Sequence, residues 1–421
     1  MLKKPEVKLP QVRVVQGAVS QELAPSAPQL GVARVEGPVL PGPDALRGLK
    51  QQAKWFPIAL VFFLCACVVP LDNQKKYIRY GIWVFYVVVC VGLFAVLHKS
   101  LGGYEMNGSS RWLRLPSFLI QVSDVAKVAL VLLLAHYLSD TQSYLCPGGA
   151  FWDTLSPRRL FWMKKRKEGF PWIMPVTEEG RKFWRAFVGP LAILGVVCGL
   201  IVVESDLGTT CLCALVGFLL FWIAGVRKRY LLPTVSLAVG SMAYVVYHWR
   251  NRLDRVLSFA DPEGTRSSEG HQLWQGILSF ACGGWDGVGL GNGIQQRKYL
   301  PEAHTDFIFA IIGEELGLVV TSLVVLGYFA FLSTVLLSLK RMQNLFHTYV
   351  CISASLFIVF QALINMGVAT GLLPTKGMSL PFVSYGGSNL VVMYTLVGLI
   401  VNCLWRRVRP EAPTLAVCRN S

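Results

Sequence analysis

Apolar runs recur along this chain at a length that fits membrane crossing. Between residues 55 and 405, stretches of about 20 mostly apolar residues alternate with polar segments, and a helix of about 20 residues crosses a bilayer core. No stretch alternates apolar and polar residues for long, which excludes barrel strands. The pattern predicts an all-α, polytopic helical membrane protein with nine visible spans, at residues 55–71, 79–98, 115–137, 184–203, 207–226, 229–247, 306–337, 347–370 and 389–405.

The polar segments divide the rest of the chain. Residues 1–50 have no sustained period and no signal-peptide core, which predicts a flexible polar tail. A membrane domain is expected over 51–408, followed by a short cytoplasmic tail at 409–421. Within that domain we expect a cytoplasmic loop at 138–183 and a large extracytoplasmic loop at 248–305. Because that large loop and residues 371–388 are rich in Gly, Pro and aromatic residues, both are expected to be structured, re-entrant or lid-like segments.

Charge distribution predicts the orientation. The net charge is +16, yet only 15% of the residues are charged. Lys and Arg concentrate in alternate connections, such as RRLFWMKKRK and WRRVR, which indicates topology signals rather than a nucleic-acid surface. These basic connections are expected to be cytoplasmic. The remaining connections, which include residues 204–206, are expected to lie outside the cell. The 11 cysteines lie mostly in apolar runs without zinc-type spacing, which predicts buried thiols without disulfides.

Several ionisable residues fall at or near membrane depth. Lys127 and Asp124 have i, i+3 spacing, so they share one face of the third span. They form either a structural ion pair or the lining of a cavity for a polar or anionic substrate, because an isolated charge there is costly. Asp206, close to Glu204 in ESDLGTT, is interpreted as the cap of the following helix.

Asp306 stands at the start of a long apolar run, in LPEAHTDFIFAIIGEEL. A carboxylate partly removed from water is suited to act as a general base. The alternative is a helix cap, because Thr-Asp before an apolar run is a capping pattern. Glu302 and His304 are close enough in sequence to tune Asp306 or to contact substrate. Of Glu314 and Glu315, at least one is expected to face the protein interior.

Glycine-rich segments offer backbone groups for anion binding. The run YGGS at 385–388 opens the last span, where exposed N–H groups of a helix N-terminus suit a pyrophosphate. The run GVGLGNG at 287–293 follows no predicted strand, so a dinucleotide fingerprint is excluded. Two classes of function remain open from these residues: an enzyme acting on a lipid-linked substrate, and a transporter or lipid flippase.

Four segments resemble the SEDS family of cell-wall proteins (shape, elongation, division and sporulation). They are RWLRL…QVSDVAK at 111–127, ESDLGTT at 204–210, RVLSFADP through LPEAHTDFIFAIIGEELG at 255–317, and GLLPTKGMSLPFVSYGGS at 371–388. The likeness extends over about residues 50–408. The PEAH and LLPTKG motifs resemble the division-type FtsW branch more than the elongation-type RodA branch.

The resemblance implies a peptidoglycan glycosyltransferase that polymerises lipid II at the outer face of the cytoplasmic (inner) membrane during cell division. Asp306 matches the family's proposed base, which acts in an inverting transfer without a covalent intermediate. A divalent cation, Mg²⁺ or Mn²⁺, is the expected cofactor, although its ligands are not assigned. The expected partners are the nascent glycan strand, a class B penicillin-binding protein, the division machinery and membrane lipid, with no nucleic acid. The residues expected to bind or support substrate are Lys127, Asp124, Arg111, Trp112, Glu302, His304, Lys376, Ser384, Tyr385, Gly386, Gly387 and Ser388.

Two departures from the family pattern affect these expectations. The family usually has Gln-Pro-Ser-Glu where this chain has Gln-Val-Ser-Asp at 121–124, so the carboxylate is shorter and a straighter helix is expected. The family usually has ten spans. Here the first span is expected to be missing, with the polar tail in its place.

Overall fold

The computed structural model describes residues 43–71, 75–98, 103–106, 109–114, 119–145, 184–226, 228–265, 270–295, 300, 305–340 and 342–408. Within these ranges the chain forms eleven helices and one three-stranded sheet. Residues 1–42 and 409–421 of the predicted tails, residues 146–183 of the predicted cytoplasmic loop, and both Glu302 and His304 lie outside the described residues. The N-terminal tail was predicted too long, because helix formers preceded by Pro43 begin the first helix well before its apolar part.

All nine predicted spans are helices. They are α1 (Pro43–Val68), α2 (Lys76–Val96), α3 (Val122–Leu145), α4 (Gly189–Val203), α5 (Leu207–Ile223), α6 (Lys228–His248), α9 (Ile308–Leu339), α10 (Leu345–Ala369) and α11 (Gly387–Val408). A π-helical turn, Trp184–Val188, leads into α4. Seven of these are long and apolar enough to cross a membrane, whereas α5 and the apolar part of α1, Gln52–Val68, are shorter.

The predicted loop at 248–305 contains two further helices. They are α7 (Arg250–Ala260) and α8 (His271–Gly283), so the expectation of a structured segment is confirmed. α8 packs against the first part of α9. Residues 370–386, by contrast, have no regular helix or strand and are held by side-chain hydrogen bonds described below.

Helices α3 and α10 form the centre of the bundle. They pack against each other, and 78% of the apolar window of each is buried inside the protein. Their apolar residues therefore extend around most of the helix, as expected for central helices. α6 lies at the opposite extreme, with 6% of its window buried. The cysteines follow the same division, because Cys351 and Cys403 are buried while Cys65 and Cys211 are exposed, which corrects the prediction that all are buried. The nine cysteines within the described ranges are free thiols.

A small sheet precedes α3 and was not predicted. Its strands are β1 (Gly103–Met106), β2 (Ser109–Arg114) and β3 (Leu119–Gln121), paired antiparallel in that order. The third span was predicted to start at 115, but it starts at Val122 because Leu119–Gln121 pairs with β2. The expected straightening of a helix by loss of proline is also wrong. Val122 is the first helical residue, where a proline would cause no kink.

A backbone break divides the longest helix, α9. Gly317 has φ 73° and ψ −175°, and an added Cβ would overlap the carbonyl oxygen of Trp285. Backbone bonds from Val288 to Glu314 and from Leu318 to Gly284 brace the chain on both sides of the break. Residues 318–339 alone reach about 33 Å at 1.5 Å per residue, enough to cross a bilayer. The segment before the break therefore lies above that crossing rod.

Candidate active site

A cavity of about 670 Å³ lies where the sheet, the middle of α1, the starts of α3 and α11, the turn before α9, and residues 370–386 meet. We call this part of the molecule the cavity end. Ten of the predicted site residues line the cavity, namely Arg111, Trp112, Asp124, Lys127, Asp306, Lys376, Tyr385, Gly386, Gly387 and Ser388. Ser384 lies behind the wall and contacts its backbone. Residues separated by more than 250 positions in sequence thus share one site.

The deepest charged group of the site is Lys127. Its Nζ lies 2.7 Å from Asp124 Oδ1 and donates to Gln361 Oε1 at 2.7 Å. Ser388 Oγ donates to the other oxygen of Asp124 at 3.3 Å. The lysine is 1% exposed, so these partners compensate for the loss of water around its charge. Lys127 and Asp124 therefore form a structural ion pair and also line the cavity, so both interpretations of the pair hold.

Asp306 lies in a turn directly before α9. The N-cap of α9 is Phe307, so Asp306 is not the N-cap residue of this helix. Its side chain reaches the cavity wall beside Gly377, where an added Cβ would lie 2.7 Å from Asp306 Oδ2. That separation is too short for a carbon and an oxygen in van der Waals contact, so any larger residue at 377 would displace the carboxylate. The carboxylate therefore packs directly on the backbone of residues 370–386.

The turn between α4 and α5 holds a satisfied carboxylate. Asp206 accepts from Thr209 N at 3.3 Å, from Thr209 Oγ1 at 2.8 Å and from Gln121 Nε2 at 3.3 Å. The cap prediction for Asp206 is confirmed. Burial alone would raise the pKa of Asp206, but Lys376, Arg111 and the bonds from Thr209 together lower it below its ordinary value.

Lys376 lies above this turn with Nζ 3.6 Å from Asp206 Oδ1. Its stem passes so close to Gly208 that an added Cβ there would lie 2.5 Å from Lys376 Cε. Burial lowers the pKa of Lys376 to about 8, although Asp206 opposes the shift. Arg111, Arg255 and Arg252 lower it further, because they repel the ammonium charge. Lys376 consequently loses its proton at a lower pH than an ordinary lysine does.

Glu204 is the least satisfied group near the cavity. It is 1% exposed, and neither of its carboxyl oxygens has a hydrogen-bond partner among the described residues. Burial raises the pKa of Glu204 to about 9, Asp206 adds to the shift and Arg111 opposes it. The neighbouring Ser205 has φ 66°, and its carbonyl accepts from Arg111 at 2.9 Å. At neutral pH this carboxyl is protonated.

The family model FTSW_RODA_SPOVE, cell cycle protein, matches residues 43–407. The chain belongs to this family. A probable peptidoglycan glycosyltransferase FtsW of Saccharophagus degradans is 35% identical over 358 residues, which cover 84% of this chain and 81% of the relative. A protein of the same name from Marinobacter nauticus is 38% identical over 321 residues, which cover 75% and 71%. The predicted resemblance is confirmed.

Solved structures share the fold. One chain, from a structure described as structural coordination of polymerization and crosslinking by a peptidoglycan synthase complex, aligns with a TM-score of 0.64 at 21% identity. It covers 86% of this chain and 91% of its own. The rod shape determining protein RodA of Thermus thermophilus aligns with a TM-score of 0.56 at 21% identity, covering 88% and 90%. The protein is therefore a multi-pass membrane protein of this fold.

The helix N-terminus predicted for anion binding does border the cavity. α11 begins at Gly387, and residues 385–389 all contribute to the wall. An added Cβ at Gly387 would lie 2.2 Å from Trp55 Cε2, so glycine allows α1 to approach α11 closely. Trp55 lines the cavity as well.

Glu314 and Glu315 are both buried, at 2% and 9% exposure. The prediction that at least one faces the interior is confirmed. Glu314 Oε1 accepts from Ile294 N at 2.8 Å and from Gln295 N at 3.3 Å. Both acids belong to the part of α9 before the break at Gly317. The Glu314 carboxylate holds the loop after α8, and neither acid lines the cavity.

Sequence reasoning missed several residues of the site. Gln361 and Asn365 stand four positions apart on α10, and polar amides within a central membrane helix are themselves a signal of function. Gln361 donates to Ser379 O and to Asn389 Oδ1, both at 2.9 Å. The other missed wall residues with charged or aromatic side chains are Lys54, Trp55, Arg255 and Phe307.

The described residues contain no group of three His, Cys, Asp or Glu side chains able to hold a metal ion. Asp306 is the one cavity-lining carboxylate outside the ion pair with Lys127 in the part of the chain that is described. Mg²⁺ commonly binds through one or two carboxylates together with substrate phosphates. The cavity wall therefore fits a cation that is bound partly by the protein and partly by a phosphorylated ligand. The divalent cation stays a prediction.

Proposed function

We propose that this protein is a peptidoglycan glycosyltransferase that polymerises lipid II during cell division, with Asp306 as the general base. The observation that carries the proposal is the placement of Asp306 in the wall of a cationic cavity. The relatives named probable peptidoglycan glycosyltransferase FtsW support the division role over the RodA-type elongation role.

The charges of the wall suit an anionic lipid-linked substrate. Five cationic side chains line the cavity against two carboxylates, one of which is already paired with Lys127. In the proposed reaction Asp306 takes the proton of the acceptor sugar hydroxyl. The oxygen attacks the anomeric carbon of the donor, and the bond to the lipid pyrophosphate breaks. One base suffices for such an inverting displacement. The cations are Lys54, Arg111, Lys127, Arg255 and Lys376.

Stabilisation of the departing pyrophosphate falls to cations near the rim. Lys376 and Arg111 can supply it through charge, and the α11 N-terminus through backbone N–H groups. A divalent cation brought in by the pyrophosphate would supply further Lewis-acid stabilisation of the leaving group, while Asp306 takes the proton of the acceptor.

The reaction is proposed to occur at the outer face of the cytoplasmic membrane. At the cavity end, most of the described Lys and Arg residues belong to the cavity wall, the sheet or α7. At the opposite end, Lys and Arg instead flank the membrane-spanning helices directly, which is typical of a cytoplasmic face. The flanking residues are Lys75, Lys76, Arg79, Lys228, Arg229, Lys340 and Arg406. The proposed partners are a class B penicillin-binding protein and the division machinery. The solved complex that coordinates polymerization and crosslinking supports a crosslinking partner.

Lipid II transport is the rival function, supported by the buried charge of Lys127. The packing beyond that lysine favours polymerisation, because buried apolar side chains fill the bundle there. They include Leu130, Leu134 and Leu138 of α3, with Val350 and Phe357 of α10. Labelled lipid II crossing vesicle membranes with wild-type protein but not with Lys127→Met would favour transport.

The deciding experiment is a polymerisation assay with lipid II, Mg²⁺ and the full-length protein, alone and with its candidate transpeptidase. We expect Asp306→Asn to lower the rate by about 100-fold or more, the usual contribution of a general base. Asp286→Asn is the matched control, because Asp286 is exposed and does not line the cavity. Wild-type rates from folded Asp306→Asn protein would overturn the proposal.

A further inference from the structure

One side chain of another helix holds the backbone that carries Asp306. Asn365 of α10 is 1% exposed. Its Nδ2 donates to the carbonyl oxygen of Asp306 at 2.7 Å and to that of Met378 at 2.6 Å. The amide thus joins the turn before α9 to residues 370–386, the two segments that meet at the Asp306 carboxylate.

The two carbonyls also fix the orientation of the amide. A reversed amide would place Oδ1 against two carbonyl oxygens, which repel it, so the NH₂ group must face them. Asn365 Oδ1 is buried and has no hydrogen-bond partner among the described residues. A buried acceptor without a partner is unfavourable. The polar contacts of this side chain are therefore concentrated on the two backbone carbonyls.

A second tie holds the preceding residue. Ser384 Oγ donates to the carbonyl oxygen of Thr305 at 2.5 Å and accepts from Leu380 N at 2.6 Å. Two consecutive carbonyls, those of residues 305 and 306, are thus bonded to groups outside α9. With Gly377 against the carboxylate, the turn is restrained in its backbone and in its side chain.

We infer that Asn365 is the positioning residue of the site, which sets the distance of the Asp306 carboxylate from the acceptor hydroxyl. The inference rests on the proposed function, because it assigns Asn365 to the same transfer. A general base must come within about 2.6–3.2 Å of the atom whose proton it takes. A misplacement of about 1 Å can cost about 100-fold in rate. Asn365 touches no reacting atom and acts through Asp306.

The test measures kcat and KM of lipid II polymerisation for Asn365→Leu, which keeps the shape and removes both donors. We expect kcat to fall about 10- to 100-fold while KM stays within about twofold, because the cationic groups that bind substrate are untouched. Ser353→Ala is the matched control on the same helix. Ser353 is fully buried and bonds only to carbonyls of α10 itself, at 2.7 and 3.2 Å. We expect its kinetics to match wild type.

Two further variants keep the inference testable if Asn365→Leu folds poorly. Asn365→Asp retains the shape, but its carboxyl can donate only when protonated, so its kcat relative to wild type should rise as pH falls. Ser384→Ala removes the second tie. The double variant should lose less than the product of the two single losses, because both ties hold one turn.

The outcomes separate this inference from the proposed function. Active wild type with an unchanged kcat in folded Asn365→Leu and Asn365→Asp would overturn the positioning role and leave the polymerase standing. A rise in KM alone would also overturn it, since substrate binding would then be the affected step. Polymer formed normally by Asp306→Asn would instead remove the proposed base, and the inference with it.

Discussion

Two lysines that line the same cavity are each paired with a carboxylate, one pair inside the bundle and one at the cavity rim, where Asp206 lies behind the lining. In the inner pair Lys127 Nζ lies 2.7 Å from Asp124, and both partners have a further hydrogen bond to α10 or α11. In the rim pair Lys376 Nζ lies 3.6 Å from Asp206, whose oxygens already accept from Thr209 and Gln121. Charge-assisted bonds are usually about 2.7–2.9 Å long. The ammonium group of Lys127 is thus hydrogen-bonded within the protein, whereas that of Lys376 is placed to bind a ligand.

This difference indicates a structural role for the Lys127–Asp124 pair and a substrate-binding role for Lys376. A buried pair with all its partners stabilises the position of the helices around it. The rim lysine is surrounded by arginines, so its ammonium charge is weakly held until an anion arrives. A negatively charged pyrophosphate would complete the rim, whereas the inner pair is complete without substrate.

Breaking the inner pair should give the largest effect on stability. Lys127→Met leaves a buried Asp124 without its cation, a loss that typically costs about 3–5 kcal/mol. We expect a clear fall in the melting temperature of the purified protein in detergent. Lys127→Met combined with Asp124→Leu should recover much of it, because no unpaired charge remains. Lys54→Met, which removes an exposed lysine of the same cavity, is the control and should melt like wild type.

The rim pair should instead show itself in the pH dependence of activity. The pKa of Lys376 is about 8, so the side chain is charged below that pH and loses its proton above it. We expect kcat/KM to fall about tenfold between pH 7 and pH 9 as the ammonium is lost. Lys376→Arg should remove this fall, because a guanidinium stays charged. An identical decline in the arginine variant would show that another group titrates.

Glu204 offers the most selective change, because it affects only the pH dependence of stability. Its pKa is about 9 in the folded protein and near 4.5 when unfolded, so between these values the folded state binds the extra proton. Stability therefore falls by about 1 kcal/mol per pH unit over that window as pH rises. Glu204→Gln should flatten the dependence of melting temperature on pH between 5 and 7.5. Parallel curves for wild type and variant would contradict a protonated Glu204.

The spans and the presence of Asp306 at the cavity could be predicted because both rest on local patterns. Lipid requires long apolar helices, and an acid at the start of such a run is conspicuous. The sheet could not be predicted, because Leu119–Gln121 reads as part of an apolar run until its pairing with β2 is known. The contacts of Gln361 and Asn365 also escaped prediction, because their partners lie in other elements of the chain.

The protonation states of the acids at the rim are harder to predict from the sequence than their presence there. ESDLGTT shows two acids two residues apart, and a capping pattern predicts the role of Asp206. Burial and the neighbouring Asp206 raise the pKa of Glu204, whereas Lys376 and Arg111, which come from distant segments, act with Thr209 to lower that of Asp206. Only the fold decides which acid receives the hydrogen bonds and which stays protonated.

The break at Gly317 has a consequence for how the protein can vary among membranes. Residues 318–339 form the crossing rod, whereas residues 308–316 are fastened to the loop after α8 through Glu314. An added residue in an unbroken helix would rotate everything beyond it by about 100°. The bonds around Gly317 fix the first residues of the 318–339 segment. An insertion or deletion later in that segment therefore rotates only the side chains that follow it. Bilayer thickness and catalytic geometry can therefore evolve independently in this helix.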